Sequence, residues 1–148
     1  MNSIVVRIGI IVLIGLGAFI LRPFLTGGAG DLKVGDCFDV PASEQETVED
    51  VQHHPCDQDH TGEVIFVGEY PGSSSDAYPT DDEMFAFLAE KCIPAYDDYT
   101  GTSFDAQSTW DIGWFQPTED GWKDGDQGVS CYIYPLDEKP FKGSLKAA

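Results

Sequence analysis

The pattern of apolar and polar positions divides the chain into an apolar beginning and a mixed remainder. Ile8–Leu21 is an uninterrupted run of apolar residues and glycine, with an arginine near each end. A helix over this run alone would rise about 21 Å, so the flanking apolar residues are needed to cover a hydrocarbon core of about 30 Å. We predict a single transmembrane anchor over residues 1–25; a cleaved signal peptide and a buried soluble helix are the alternatives.

After the anchor, Thr26–Gly30 is rich in glycine and is predicted to be a flexible linker, assigned to residues 26–32. Residues 33–148 then form one domain. Its β-branched and aromatic runs predict an antiparallel sheet of about four strands. The strand candidates lie within Val34–Val40, around Thr47–Val51, and over Glu63–Tyr70, Trp110–Phe115 and Gly128–Tyr134.

One amphipathic helix is expected in this domain. Thr80 and Glu83 fit a capping box, and apolar residues follow at helical spacing, which predicts a helix over residues 81–93. Pro94 is expected to end or kink this helix. The polar segments Pro71–Pro79, Thr100–Ser108 and Glu119–Gly128 are predicted to be loops or turns, and the residues from Pro135 onward a tail or a last extended segment. The fold class is therefore predicted to be α+β.

The cysteines indicate the compartment. All four, Cys37, Cys56, Cys92 and Cys131, lie after the anchor, which suggests two disulfides in an oxidising environment. Three connectivities are open, and the predicted layout favours Cys37–Cys56 and Cys92–Cys131. We expect the protein in the plasma membrane, with the N-terminus inside and the C-terminal domain extracytoplasmic.

The charge is as unevenly divided as the apolar pattern. Residues 1–30 hold two arginines and no acid, whereas residues 31–148 hold all 26 acids and six lysines, for a formal charge of −20. So acidic a domain does not attract nucleic acid or anionic lipid headgroups. We expect a protein partner with a basic face instead.

Few residues suggest chemistry. His53, His54, Cys56 and His60 are close in sequence and could provide part of a zinc site with Glu63 or neighbouring aspartates, although a structural loop is the favoured interpretation. Asp120–Gly128 could hold Ca²⁺ but lacks the EF-hand ligand order. Ser73–Ser75 has no recognisable base partner.

An aromatic set could stack on sugars or pack internally: Trp110, Trp114, Trp122, Tyr96, Tyr99, Tyr132 and Tyr134.

Several ordered blocks carry a family resemblance. Val34–Phe38 is followed by Pro55-Cys56, His60 and Gly62–Val64, and the later blocks are Cys92 with Tyr96 and Tyr99, then Pro117, Trp122, Gly125-Asp126, Cys131 and Gly143–Lys146. This order resembles the septum formation family, extracytoplasmic domains frequent in actinobacteria and usually carried behind a transmembrane segment. The resemblance covers about residues 33–146. It implies a connection with cell division but no established catalytic residues.

These observations predict a non-catalytic, membrane-anchored interaction module that is accessory to a membrane protein complex or to the division and envelope machinery. No cofactor is expected. Two alternatives stay open: an envelope hydrolase or metal-dependent enzyme using His60 and Glu63, and a domain that binds a cell-wall ligand through its aromatic residues.

Overall fold

The computed structural model describes residues 26–41, 48 and 50–148. These residues form a six-stranded sheet in the order β1-β3-β2-β4-β6-β5, in which every neighbouring pair is antiparallel. The α+β prediction is confirmed, with more strands than the four expected. The strands are β1 (Thr26–Gly28), β2 (Cys37–Asp39), β3 (Asp50–His54), β4 (Gly62–Glu69), β5 (Trp110–Phe115) and β6 (Gly128–Pro135).

The main helix, α1 (Asp81–Thr100), begins as the sequence predicts. The Thr80 side chain accepts from the backbone N–H of Glu83, and the Glu83 carboxylate accepts from the N–H of Thr80 at 2.9 Å. These bonds satisfy two backbone donors that the first helical turn leaves without partners. One face of α1 then packs on the sheet, with Met84, Leu88, Cys92, Tyr96 and Tyr99 buried.

The predicted end of this helix at Pro94 is wrong. The helix continues for six residues beyond Pro94 and ends where Gly101 adopts a left-handed conformation with φ of 68°. Proline costs the helix the hydrogen bond to the carbonyl four residues earlier. Burial of Tyr96 and Tyr99 on the same face as Leu88 and Cys92 offsets that loss, because a helix that stopped at Pro94 would leave both rings in water.

The sheet has an apolar core on each face. Side chains from α1 meet Ile65, Val129 and Ile133 on one face. On the opposite face Phe38, Val64 and Tyr132 form a second core with Leu32 and Val51. Alternation along β6 produces this division, because successive residues of a strand point to opposite faces.

Two segments that were expected to lack regular structure contain a strand and a short helix. The predicted linker contains strand β1, which pairs with β3 at the edge of the sheet, followed by a 3-10 turn at Ala29–Asp31. The predicted turn over Glu119–Gly128 contains a short helix, α2 (Glu119–Lys123), capped by the Thr118 side chain. Trp122 on α2 is buried, and its burial favours the helical turn over a solvated loop.

The disulfide prediction is confirmed for both pairs. Cys37 of β2 is bonded to Cys56, and Cys92 of α1 is bonded to Cys131 of β6. The second bond ties the helix to the sheet at the centre of the larger core.

The predicted anchor at residues 1–25 and the acidic segment at 42–47 lie outside the described residues. Within the part of the chain that the structure describes, no helix is long and apolar enough to cross a membrane.

Candidate functional site

Glu63 is the centre of a buried polar cluster. It lies on β4 and is fully buried, on the sheet face that α1 covers. Its Oε1 accepts from the Tyr99 hydroxyl at 2.6 Å and from the Ser144 hydroxyl. Its Oε2 accepts from the backbone N–H of Leu145 at 2.7 Å. Three donors thus surround a carboxylate that burial alone would strongly destabilise.

These bonds join three separate parts of the chain. Tyr99 belongs to the last turn of α1, and Ser144 and Leu145 belong to the C-terminal segment, which we define as residues 136–148. Burial and the hydrogen bond to Glu63 raise the pKa of Tyr99 to about 12. Tyr99 therefore stays a neutral donor over the physiological pH range, as the carboxylate requires.

His60 precedes Glu63 and is also fully buried. Its backbone pairs with Phe141 of the C-terminal segment, and the two rings lie 4.2 Å apart. Its Nδ1 lies 2.8 Å from the carbonyl oxygen of Gln58, which fixes the proton on that nitrogen. Nε2 is buried without a hydrogen-bond partner among the described residues.

The structure brings His60 and Glu63 together with Cys37, and the ligand atoms of the three lie within 4.8 Å of one another. This set does not fit a zinc site in the oxidised domain. The sulfur of Cys37 is bonded to Cys56, and the Glu63 oxygens already accept three hydrogen bonds. Only one ring nitrogen is left, whereas structural zinc takes four ligands.

The other members of the predicted zinc cluster are directed elsewhere. His53 and His54 are consecutive on β3, so their side chains point to opposite faces of the sheet. His54 bonds Asp39 at 2.8 Å, and Nε2 of His53 is buried without a partner among the described residues. Closeness in sequence therefore does not bring these histidines to His60.

The remaining sequence candidates form local contacts. Ser73 hydrogen-bonds Ser75 and Asp76 within an exposed turn. In the proposed calcium turn, Asp120 pairs with Lys123 at 3.1 Å and Asp126 accepts from the backbone of Gly128. Both arrangements stabilise turns.

The aromatic residues do not form the single face that sugar stacking would need. Trp122 is buried between Tyr70 and Tyr78, and its indole donates to the carbonyl of Asp76 at 3.1 Å. Trp114 is 39% exposed beside Phe85 of α1. Tyr132 lies on the opposite face of the sheet, so the set is divided between both cores and the surface.

Reasoning from residue chemistry missed the part played by the C-terminal segment. Gly143 donates its N–H to the carbonyl of Cys56 at 2.6 Å, and Ala147 donates to the carbonyl of Tyr99 at 2.8 Å. The only signal was the Gly143–Lys146 block within the family resemblance. Nothing in a polar tail indicates that it closes over a carboxylate eighty residues earlier.

Comparisons with known proteins give one match. No curated protein matches the chain, and no solved structure matches it. A model of the family described as septum formation matches residues 34–146, which covers the sheet from β2 onward, both disulfides and the Glu63 cluster. The chain therefore belongs to the septum formation family, whose name points to a role in cell division and the cell envelope.

Proposed function

We propose that this protein is a non-catalytic, membrane-anchored interaction module, accessory to a membrane protein complex of the division or envelope machinery. Its globular domain stands on the extracytoplasmic side. The family membership supports the cellular setting.

One observation carries the non-catalytic part of the proposal. Glu63 is the acidic residue among the buried polar residues that the structure describes, and it is therefore the first candidate for acid–base catalysis. All three of its hydrogen bonds, however, connect parts of the fold. Glu63 and His60 are both fully buried beneath the C-terminal segment, so neither side chain is accessible to a substrate. This arrangement supports a structural role for both residues.

The anchor and the compartment rest on two further observations. Residues 1–25 have the apolar length of a membrane span. Both disulfides close within the domain, and the described residues include no free cysteine. Stable disulfides are typical of proteins beyond the cytoplasm.

Affinity purification from detergent-solubilised membranes tests the proposal. The tag belongs at the N-terminus, because the C-terminal segment is bonded to Tyr99 and Glu63 and a tag there would disturb the fold. We expect a membrane or envelope protein to co-purify at constant stoichiometry. A chain that purifies alone from gently solubilised membranes contradicts the proposal.

A matched control assigns the binding to the domain. Residues 1–25 are replaced by an unrelated transmembrane helix of the same length and orientation. Retention of the partner places the contact in the extracytoplasmic domain, and its loss places the contact in the anchor.

A further inference from the structure

A groove of about 750 Å³ lies on the sheet face opposite α1, over β4, β5 and β6. Its aromatic lining is a continuous row of mutually tilted rings: the ring centroids of Phe115 and Tyr132 lie 5.0 Å apart, and those of Tyr132 and Tyr134 lie 6.1 Å apart. The Tyr132 ring lies directly over Gly113, where a Cβ atom would overlap it. The row is therefore preformed, and an entering side chain finds aromatic rings already in place.

The rim of this groove is acidic. Asp126 and Glu138 line it and are exposed, and its described lining residues include no lysine or arginine. Glu69 lies on the same strand face as the groove residue Val67, two positions further along β4. Val67 itself is 43% exposed. An apolar surface beside carboxylates suits a segment with both apolar and basic side chains, since cations also bind aromatic faces.

The groove also lies close in sequence to the predicted anchor. Ala29, Gly30 and Leu32 line it, and Ala29 is only four positions after Leu25, the last residue of the anchor. Four residues span at most about 14 Å. In an anchored chain this side of the groove is therefore held near the bilayer surface.

We propose that the groove binds a basic juxtamembrane segment of an integral membrane partner, an inference that rests on the proposed function above. An apolar side chain of that segment packs on Tyr132 and Phe115, and its lysine or arginine side chains meet Asp126 and Glu138. Like charge disfavours two competing occupants, a second copy of this domain with its charge of −20 and an anionic lipid headgroup.

Photo-crosslinking in intact cells tests this assignment in the full chain. Val67 is replaced by p-benzoylphenylalanine in the groove, and the control replaces Phe85, which is 60% exposed on α1. We expect the Val67 position to crosslink a partner peptide that mass spectrometry places within about ten residues of a membrane span and that carries at least two basic residues. The Phe85 position should not give that product.

The outcomes separate this inference from the proposed function. If a partner co-purifies but crosslinks only from Phe85, the proposed function is retained and the assignment of the groove as the binding site is overturned. Crosslinks from Val67 to a second copy, to lipid, or to an acidic or neutral segment overturn it as well. Failure of co-purification removes the proposed function itself.

Charge variants give a second readout in the purified chain. The full chain in neutral-lipid nanodiscs is titrated calorimetrically with an acetylated peptide of alternating leucine and lysine. D126N/E138Q should weaken binding about five- to tenfold, since each partly exposed ion pair contributes a fraction of a kcal/mol or slightly more. D82N/D98N on exposed positions of α1 removes the same charge and should change binding less than twofold. Equal losses in both variants overturn the site.

Discussion

The hydroxyl of Tyr99, in the last turn of the long helix, donates a 2.6 Å hydrogen bond to the carboxylate of Glu63 on the sheet. The same carboxylate holds the C-terminal segment through Ser144 and Leu145. Helix, sheet and C-terminus therefore meet at one buried charge, whose stability depends on all three donors remaining in place.

Glu63→Gln is expected to destabilise the domain by about 2–4 kcal/mol, because an amide retains one acceptor oxygen and directs new donors at groups that already donate. Urea denaturation followed by circular dichroism measures the change. Glu69→Gln, exposed on the same strand, is the control and should stay within about 0.5 kcal/mol. A Glu63→Gln protein as stable as the control would mean that the carboxylate is not needed to hold the C-terminal segment.

Stability should fall in alkali. Burial raises the pKa of Tyr99 and of Tyr132 to about 12, whereas tyrosine in an unfolded chain titrates near 10. The folded protein favours the neutral phenols, so their contribution to the free energy of unfolding is complete below about pH 10. It is lost as the pH rises towards 12.

Denaturation midpoints measured between pH 9 and pH 12 check this dependence. The double variant Y99F/Y132F should start from a lower midpoint but lose less over the same range, because neither ring can ionise. A wild-type midpoint that does not change between pH 10 and pH 12 would contradict the expected direction.

Pro94→Ala should stabilise the protein by about 1–2 kcal/mol. Alanine restores the backbone donor that proline removes, and the surrounding helix is already formed. Ala86→Gly, at an exposed position of the same helix, calibrates the effect and should cost about 1 kcal/mol. Loss of stability in Pro94→Ala would indicate that the burial of Tyr96 and Tyr99 requires the local geometry of proline.

Removal of either disulfide should lower the free energy of unfolding by a similar amount. The bonds close sequence separations of 19 and 39 residues, for which chain entropy gives about 3 and 4 kcal/mol. Chemical denaturation of the double variants C37A/C56A and C92A/C131A is compared with that of the oxidised wild-type protein. Reduced wild-type protein shows the effect of losing both bonds. A double variant that matches the oxidised wild type would show that its bond contributes no stability.

Some features could be predicted because their signals are local: the cap at Thr80 and the strands β4, β5 and β6. The favoured pairing of the cysteines followed from the predicted order of the elements along the chain. The helix end could not be predicted. Pro94 is a local breaking signal, and only the burial of Tyr96 and Tyr99 against the sheet outweighs it.

Composition and periodicity define the division between the apolar beginning and the acidic domain and predict the α+β class, and the position of all four cysteines after the apolar run suggests that they are oxidised. His60 and Glu63 could also be singled out from the sequence. The tertiary structure was needed to show that Tyr99, Ser144 and Leu145 bind Glu63, and that Tyr132 lies over Gly113 in an acidic-rimmed groove. It was also needed to show that the histidines of β3 are not part of the group formed by Cys37, His60 and Glu63. These contacts join residues far apart in the chain. Strand register and helix packing determine these contacts, and no local sequence pattern predicts either of them.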